Sequence, residues 1–142
     1  MTRSFIERAS RVALTAMALF FVSCGGGDDP DPIGGGSIQG SWKLATVGGE
    51  PVPTLMPGTT LTLDHGSATF SDPGFTMTYA GSSEGEPQVI TINGTWSSEG
   101  NTYRLFGSMS INGVYATGYS NVASIINGVL TQYGEPAETW VR

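Results

Sequence analysis

Closely spaced turn signals divide residues 38–142 into short segments, and this spacing constrains the fold more than any other feature. Asn112-Gly113 and Asn127-Gly128 are typical of two-residue turns between antiparallel strands. The segments between turns are rich in Thr, Val, Ile, Tyr and Trp, and no window of a dozen residues has the 3.6-residue apolar period of a helix. The pattern therefore predicts one all-β domain of about nine short antiparallel strands.

A run of sequential antiparallel strands either closes into a barrel or leaves two edges exposed. We therefore expect an up-and-down (meander) β-barrel of about 8–9 strands over residues 38–142, with a two-sheet sandwich as the alternative. Three prolines within residues 50–58 rule out a central strand there and predict a long loop. An open end of the barrel is the candidate location for that loop.

Three further features carry predictions about individual strands. Asp64-His65-Gly66 predicts a turn between two short strands. Residues 114–119 and 122–126 are interpreted as separate strands. Gly107 predicts a bend or a bulge in the strand to which it belongs, because glycine weakens regular strand pairing.

The N-terminal part of the chain has the organisation of a secretory signal peptide. Three arginines among the first eleven residues precede an apolar run at residues 12–22, and the small residue Ser23 follows it. The run is shorter than the roughly 20 residues that a bilayer-spanning helix needs, so we expect cleavage rather than a permanent span. We accordingly interpret residues 1–23 as a signal peptide.

Phe21-Val22-Ser23-Cys24 resembles the lipobox of bacterial lipoproteins, in which the signal peptide ends directly before a cysteine. The resemblance implies cleavage before Cys24, acylation of that residue by diacylglycerol and palmitate-type chains, and a place in the bacterial cell envelope. We expect an outer-membrane lipoprotein that faces the periplasm or the cell surface. The alternative is a secreted protein with a free thiol. A disulfide within the chain is excluded because Cys24 is the single cysteine.

Residues 24–37 are rich in Gly, Asp and Pro and contain one large apolar side chain, Ile33, so they predict a flexible tether. Their three aspartates lack the glycine turn and distal glutamate of an EF-hand, which disfavours a calcium loop. Removal of residues 1–23 takes away three arginines and one glutamate, so the formal charge changes from −6 to −8. This acidity argues against a nucleic-acid partner and leaves membrane attachment to the lipid on Cys24.

Gly40-Ser41-Trp42 is similar to the Gly-X-Trp of lipocalin-type barrels, and the last residue of the sequence is Arg142. The Gly-Ser-Trp-Lys-Leu opening of the domain resembles that of bacterial lipocalin-like lipoproteins. The resemblance implies that Arg142 packs over Trp42 beside Gly40, in a cation–π contact that brings the terminal strands together and closes the barrel.

The same resemblance implies a cavity for one small apolar molecule. The candidate lining residues are apolar or aromatic side chains of the central strands: Phe70, Phe75, Met77, Tyr79, Ile92, Tyr103 and Leu105. In the alternative, these side chains simply fill the barrel, as small eight-stranded barrels allow, and the surface contacts another protein.

No arrangement of residues predicts catalysis. His65, the only histidine, lies beside Asp64 in a predicted turn and has too few neighbouring ligands for zinc. No Gly-X-Gly-X-X-Gly or Walker-type phosphate-binding motif is present. We therefore expect a monomeric binding protein with no enzymatic activity, metal or cofactor, whose partners are the membrane and a small apolar ligand. A structural or protein-interaction lipoprotein with a filled barrel is the alternative.

Overall fold

The computed structural model describes residues 36–142 of the 142-residue chain. The predicted signal peptide at 1–23, the predicted acylation site Cys24 and nearly all of the predicted tether at 24–37 lie outside the described residues. Residues 36–142 include no helix that is long and apolar enough to cross a bilayer.

The described chain is built from antiparallel strands that follow one another around a barrel. In chain order they are β1 (Gly40–Val47), β2 (Glu50–Pro51), β3 (Thr54–Leu55), β4 (Leu61–Phe70), β5 (Gly74–Ser83), β6 (Glu86–Glu99), β7 (Thr102–Ile111), β8 (Val114–Ile126), β9 (Val129–Gln132) and β10 (Glu138–Val141). Eight of them, β1 and β4 to β10, form a closed ring because β1 pairs with both β10 and β4. The two-residue strands β2 and β3 extend the sheet beside this ring. The predicted meander barrel is thus confirmed.

Alternating side chains build the core of the barrel. On β5, Phe75, Met77 and Tyr79 are buried, whereas the threonines between them are exposed or half-buried. Successive side chains of a strand point to opposite faces, so this alternation places one apolar row inside the barrel. Neighbouring strands contribute further rows, and the resulting apolar cluster stabilises the fold by about 25 cal/mol for each Å² of apolar surface that it removes from water.

One end of the barrel, where β1 begins and β10 ends, is sealed by aromatic and guanidinium contacts, and we call it the closed end. The indole N–H of Trp42 donates to the carbonyl oxygen of Ile38 at 2.8 Å. The guanidinium of Arg142 lies over the Trp42 ring, 4.5 Å from its centroid. The same guanidinium donates to the carbonyl oxygens of Ser37 and Gln39. This is the contact that the lipocalin-type resemblance implies.

Gly40 fits the closed end for two reasons. Its φ is +114°, in the region that favours glycine, and a Cβ there would lie 3.5 Å from Nη1 of Arg142. At the opposite end, which we call the open end, β5 runs into β6 and β7 into β8. Met56, which follows β3, and the β9–β10 connection cap the open end.

The predicted turn at residues 64–66 is wrong, because β4 runs through these positions without interruption. The pairing of β4 with β5 shifts by one residue beside His65, and this shift forms a β-bulge. Close packing against the neighbouring strand, and not a turn, explains why position 66 is a glycine. A Cβ at this position would lie 2.9 Å from Cβ of Leu44, so the neighbouring strand leaves no room for a side chain.

Two other local predictions need adjustment. Residues 114–119 and 122–126 belong to one strand, β8, and the two segments are not separate. The proline-containing segment is largely a connection, as predicted, although it contributes the short strands β2 and β3. In the described part of the chain, Pro51 of β2 pairs with Thr46 of β1 at an edge of the sheet, which is where a proline without an N–H is tolerated.

Gly107 lies directly opposite Gly94 in the pairing of β7 with β6. A Cβ on Gly107 would lie 2.2 Å from the carbonyl oxygen of Asn93, and a Cβ on Gly94 would lie 2.0 Å from that of Phe106. The two backbones therefore approach each other closely enough that only glycine fits on either side. The pairing of β6 with β7 runs through Gly107 without a register shift, so the bulge predicted there is not found. The register shift between Met109 and Ser110 leaves Ala116 of β8 as the extra residue, so that bulge belongs to β8.

We expect Gly107→Ala to lower the free energy of unfolding by about 1–3 kcal/mol, because the added Cβ forces β6 and β7 apart. Gly118→Ala is a matched control, since a Cβ there meets no atom of residues 36–142 within 4 Å. The control should change stability by less than about 0.5 kcal/mol. Urea unfolding followed by tryptophan fluorescence measures both. Equal losses in the two variants would contradict the close approach.

Candidate ligand-binding cavity

A cavity of about 220 Å³ occupies the open end of the barrel. Strands β5 to β8 and β10 supply most of its wall, and the segments before β4 and after β9 supply the rest. The lining residues are Met56, Tyr79, Ile90, Ile92, Met109, Tyr119, Asn121, Gly134, Glu135, Pro136 and Glu138. The wall is thus mainly apolar, with a small set of polar groups at defined positions.

Backbone hydrogen bonds hold the cap of the cavity in place. The N–H of Met56 donates to the carbonyl oxygen of Leu61 at 2.8 Å, which fixes the proline-containing segment against the start of β4. The N–H of Gly48 donates to the carbonyl oxygen of Ala137 at 2.7 Å and ties the β1–β2 turn to the β9–β10 connection. Met56 lines the cavity, so the proline-containing segment reaches the open end.

Glu138 is the most unusual group in the cavity wall, because a carboxyl group that is only 9% exposed lies among apolar side chains. Its Oε2 accepts a hydrogen bond from the hydroxyl of Tyr79 at 2.8 Å. Burial raises the pKa of Glu138 from its ordinary value of 4.5 to about 7, and the interactions with Tyr79 and the Trp140 indole oppose the rise. The Trp140 N–H is near the carboxylate, yet it meets no acceptor at hydrogen-bond geometry among the described residues.

No basic side chain compensates Glu138 within residues 36–142. Arg104 pairs with Glu99 at 2.8 Å on the surface, and Arg142 lies over Trp42 at the closed end. Lys43, the remaining basic residue of this part of the chain, is exposed on β1. The cavity therefore contains a carboxyl group that has a hydrogen-bond donor beside it but no positive charge.

A second polar cluster lies on β8 and β9. The hydroxyl of Tyr119 donates to Oε1 of Gln132 at 2.6 Å, and Nδ2 of Asn121 lies 3.2 Å from the Tyr119 hydroxyl oxygen and 3.1 Å from the same Gln132 atom. Burial and the nearby charge of Glu138 together raise the pKa of Tyr119 to about 12, and the hydrogen bond with Asn121 opposes this rise. The pKa of Tyr79 is also raised, mainly by burial. Both hydroxyls are therefore neutral at physiological pH.

The structure divides the sequence-predicted lining residues into two groups. Tyr79 and Ile92 line the cavity. The others do not: Phe70, Phe75, Met77 and Leu105 are buried in the core, and Tyr103 is half-buried with its ring edge-on to Trp96 at 5.8 Å. Phe70 and Phe75 lie in packed core because their rings stack on each other, with 5.5 Å between the ring centroids.

Sequence reasoning missed the residue with the most distinctive chemistry, Glu138. A signal for it was present, because Glu138 shares the phase of Trp140 and an acid in phase with a core tryptophan points inward. It also missed Tyr119 and Asn121, which are inward-facing positions of a strand that was divided in two. Met56 and Glu135 lie in connections, where strand periodicity gives no information.

The described residues 36–142 contain no group of three or more His, Cys, Asp or Glu side chains that could hold a metal ion. His65, the only histidine of the sequence, is exposed on β4. No protein-family model, curated protein or solved structure matches the chain. What the protein does must therefore be inferred from the barrel and its cavity.

Proposed function

We propose that the protein binds a small, mainly apolar molecule in the open-end cavity and acts as a binding protein without catalytic activity. The observation that carries this proposal is the combination of apolar walls with one buried carboxyl group, Glu138. Ligand sites in proteins typically pair an apolar surface with a few fixed polar groups that orient the ligand. A barrel that served only as a filled scaffold would have no use for an inward-facing acid.

The size of the cavity restricts the ligand. Sites for drug-sized molecules occupy roughly 300–1,000 Å³, whereas this cavity has about 220 Å³. A single aromatic ring or a short branched chain with one polar group suits this volume, and a long fatty acid does not.

We further propose that the protein is a lipocalin-like lipoprotein and that an acylated Cys24 attaches it to the bacterial cell envelope. Its support is the closed eight-stranded antiparallel barrel, which is compatible with a lipocalin-like fold, together with the lipobox-like Phe21-Val22-Ser23-Cys24. We place the protein in the outer membrane, where an anchored barrel would hold a small molecule close to the bilayer.

Blocking the cavity should abolish binding. We expect 2-phenylethanol to bind the full-length protein in non-ionic detergent, and Met109→Trp to weaken this binding by at least about tenfold because the larger ring fills the cavity. Ser108→Trp is the matched control, since Ser108 is exposed on the opposite face of β7. Isothermal titration calorimetry, with micelles alone as the blank, measures both. Equal binding by wild type and Met109→Trp would contradict the proposal.

A second candidate function, contact with a protein partner, is favoured by one edge of β8. Among the described residues, β8 pairs with β9 only from Ala123 onward, so residues 114–120 have a strand neighbour on one side alone. Val114 and Tyr115 are about 70% exposed, and no charged residue lies between Arg104 and Glu135. An uncharged free edge can pair with an extended, uncharged segment of another protein. Failure of small probes to bind the cavity would favour this function.

A further inference from the structure

We propose that the ligand carries a protonated amine, and that the carboxylate of Glu138 binds this positive charge at the base of the cavity. The inference rests on the proposed function and specifies the chemical class of the ligand. The proposed ligand is a small apolar molecule with one cationic nitrogen, and its apolar part contacts Met56, Ile90 and Met109.

The hydrogen bonding of Glu138 is incomplete. An ionised carboxylate offers about four acceptor positions, and the structure gives Glu138 one hydrogen bond among the described residues, from Tyr79. A buried carboxylate with so few donors is costly unless another group satisfies it. An ammonium group has three N–H donors, so it can satisfy the remaining acceptor positions from inside the cavity.

The charge around the cavity also favours a cation. Of the titratable groups near Glu138, Tyr79 and Tyr119 remain neutral because burial raises the pKa of each hydroxyl. Glu135, on the β9–β10 connection, adds a second carboxylate at the exposed rim. Among residues 36–142 no basic side chain lines the cavity, so a cationic ligand would supply the counter-charge that Glu138 lacks there. An anionic ligand would face two carboxylates, and a neutral alcohol would leave the charge uncompensated.

Three probes with the same apolar part test the inference: 2-phenylethylamine, 2-phenylethanol and 3-phenylpropionate. We expect the full-length protein in non-ionic detergent at pH 8 to bind the amine about tenfold more tightly than the alcohol, because charge-assisted hydrogen bonds are roughly twice as strong as neutral ones. The propionate should bind most weakly. Isothermal titration calorimetry gives the three affinities.

Two variants identify the group that selects the amine. Glu138→Gln should bring the amine and the alcohol to equal affinity, because the glutamine amide carries no negative charge to select the ammonium group. Glu135→Gln, which removes the exposed rim carboxylate, should keep most of the preference. Lowering the pH to 5 should remove the preference in wild type, because the pKa of Glu138 is about 7 and the group is then protonated.

Each contrary outcome has a distinct meaning. Equal binding of amine and alcohol by wild type at pH 8 would overturn the amine inference and leave the cavity function intact. Failure of all three probes to bind would overturn both. A preference for the amine that survives in Glu138→Gln but is lost in Glu135→Gln would place the recognition at the rim and overturn the role of Glu138.

Discussion

Replacing Trp42 with alanine should lower the free energy of unfolding by about 3–5 kcal/mol, the largest loss that we expect from any single substitution at the closed end. The indole is almost fully buried, and its N–H is bonded to Ile38. Its removal also deprives Arg142 of a cation–π contact worth about 0.5–2 kcal/mol. Because Trp42 lies on β1, which joins β4 to β10, the cavity that it leaves weakens the closure of the barrel.

Trp96→Ala provides the comparison for this prediction. Trp96 is half-buried on β6, and its N–H donates to the carbonyl oxygen of Ser71 at 2.9 Å, so it has a similar local bond but less burial. We expect a loss of about 1–2 kcal/mol. Urea unfolding measures both variants. A loss below about 1 kcal/mol for Trp42→Ala, or a larger loss for Trp96→Ala, would show that Trp42 does not hold the barrel closed.

The stability of the protein should depend on pH through Glu138. The pKa of this carboxyl group rises from 4.5 in the unfolded chain to about 7 in the folded protein, so the folded state binds more protons between these values. Stability from this group is therefore greatest below about pH 4.5 and declines as the pH rises to 7. The decline amounts to about 3 kcal/mol, because each pKa unit corresponds to 1.36 kcal/mol.

Glu138→Gln should remove this dependence. We expect the variant to be more stable than wild type at pH 8 by up to about 3 kcal/mol, with most of the difference gone at pH 5. Comparing the two proteins at each pH cancels the other titrating groups, and Glu135→Gln serves as the control because its carboxylate is exposed. Urea unfolding at both pH values provides the measurement. A stability difference between the variant and wild type that is the same at pH 5 and pH 8 would show that burial does not raise the pKa of Glu138.

The two predictions describe opposite ends of one barrel. The closed end gains stability from dense packing and from a cation that has its partner within the chain. The open end gives up stability by keeping the carboxyl group of Glu138 in a place that no basic side chain of the described domain reaches. Such a cost is common at binding sites, where groups are arranged for a ligand and not for the stability of the free protein.

Much of the barrel was predictable because its determinants are local. The Asn112-Gly113 turn is a two-residue hairpin with positive φ at both positions, as its sequence predicts. The alternation of Phe75, Met77 and Tyr79 correctly identified the inner face of β5. The bulge beside His65 and the long β8 were not predictable in this way, because a bulge and a turn have similar sequences and differ only in how the neighbouring strand pairs.

The sequence by itself determined the all-β class and the meander order, because turn chemistry and strand alternation act over a few residues. The contact of Arg142 with Trp42 at the closed end was expected only from the lipocalin-type resemblance. Only the tertiary structure decided where the interior is full and where it is empty. Alternation specifies that a side chain points inward, but the free volume around it depends on residues from every facing strand and from the cap. For this reason Phe70 and Phe75 became core, and Glu138 became the polar group of a cavity.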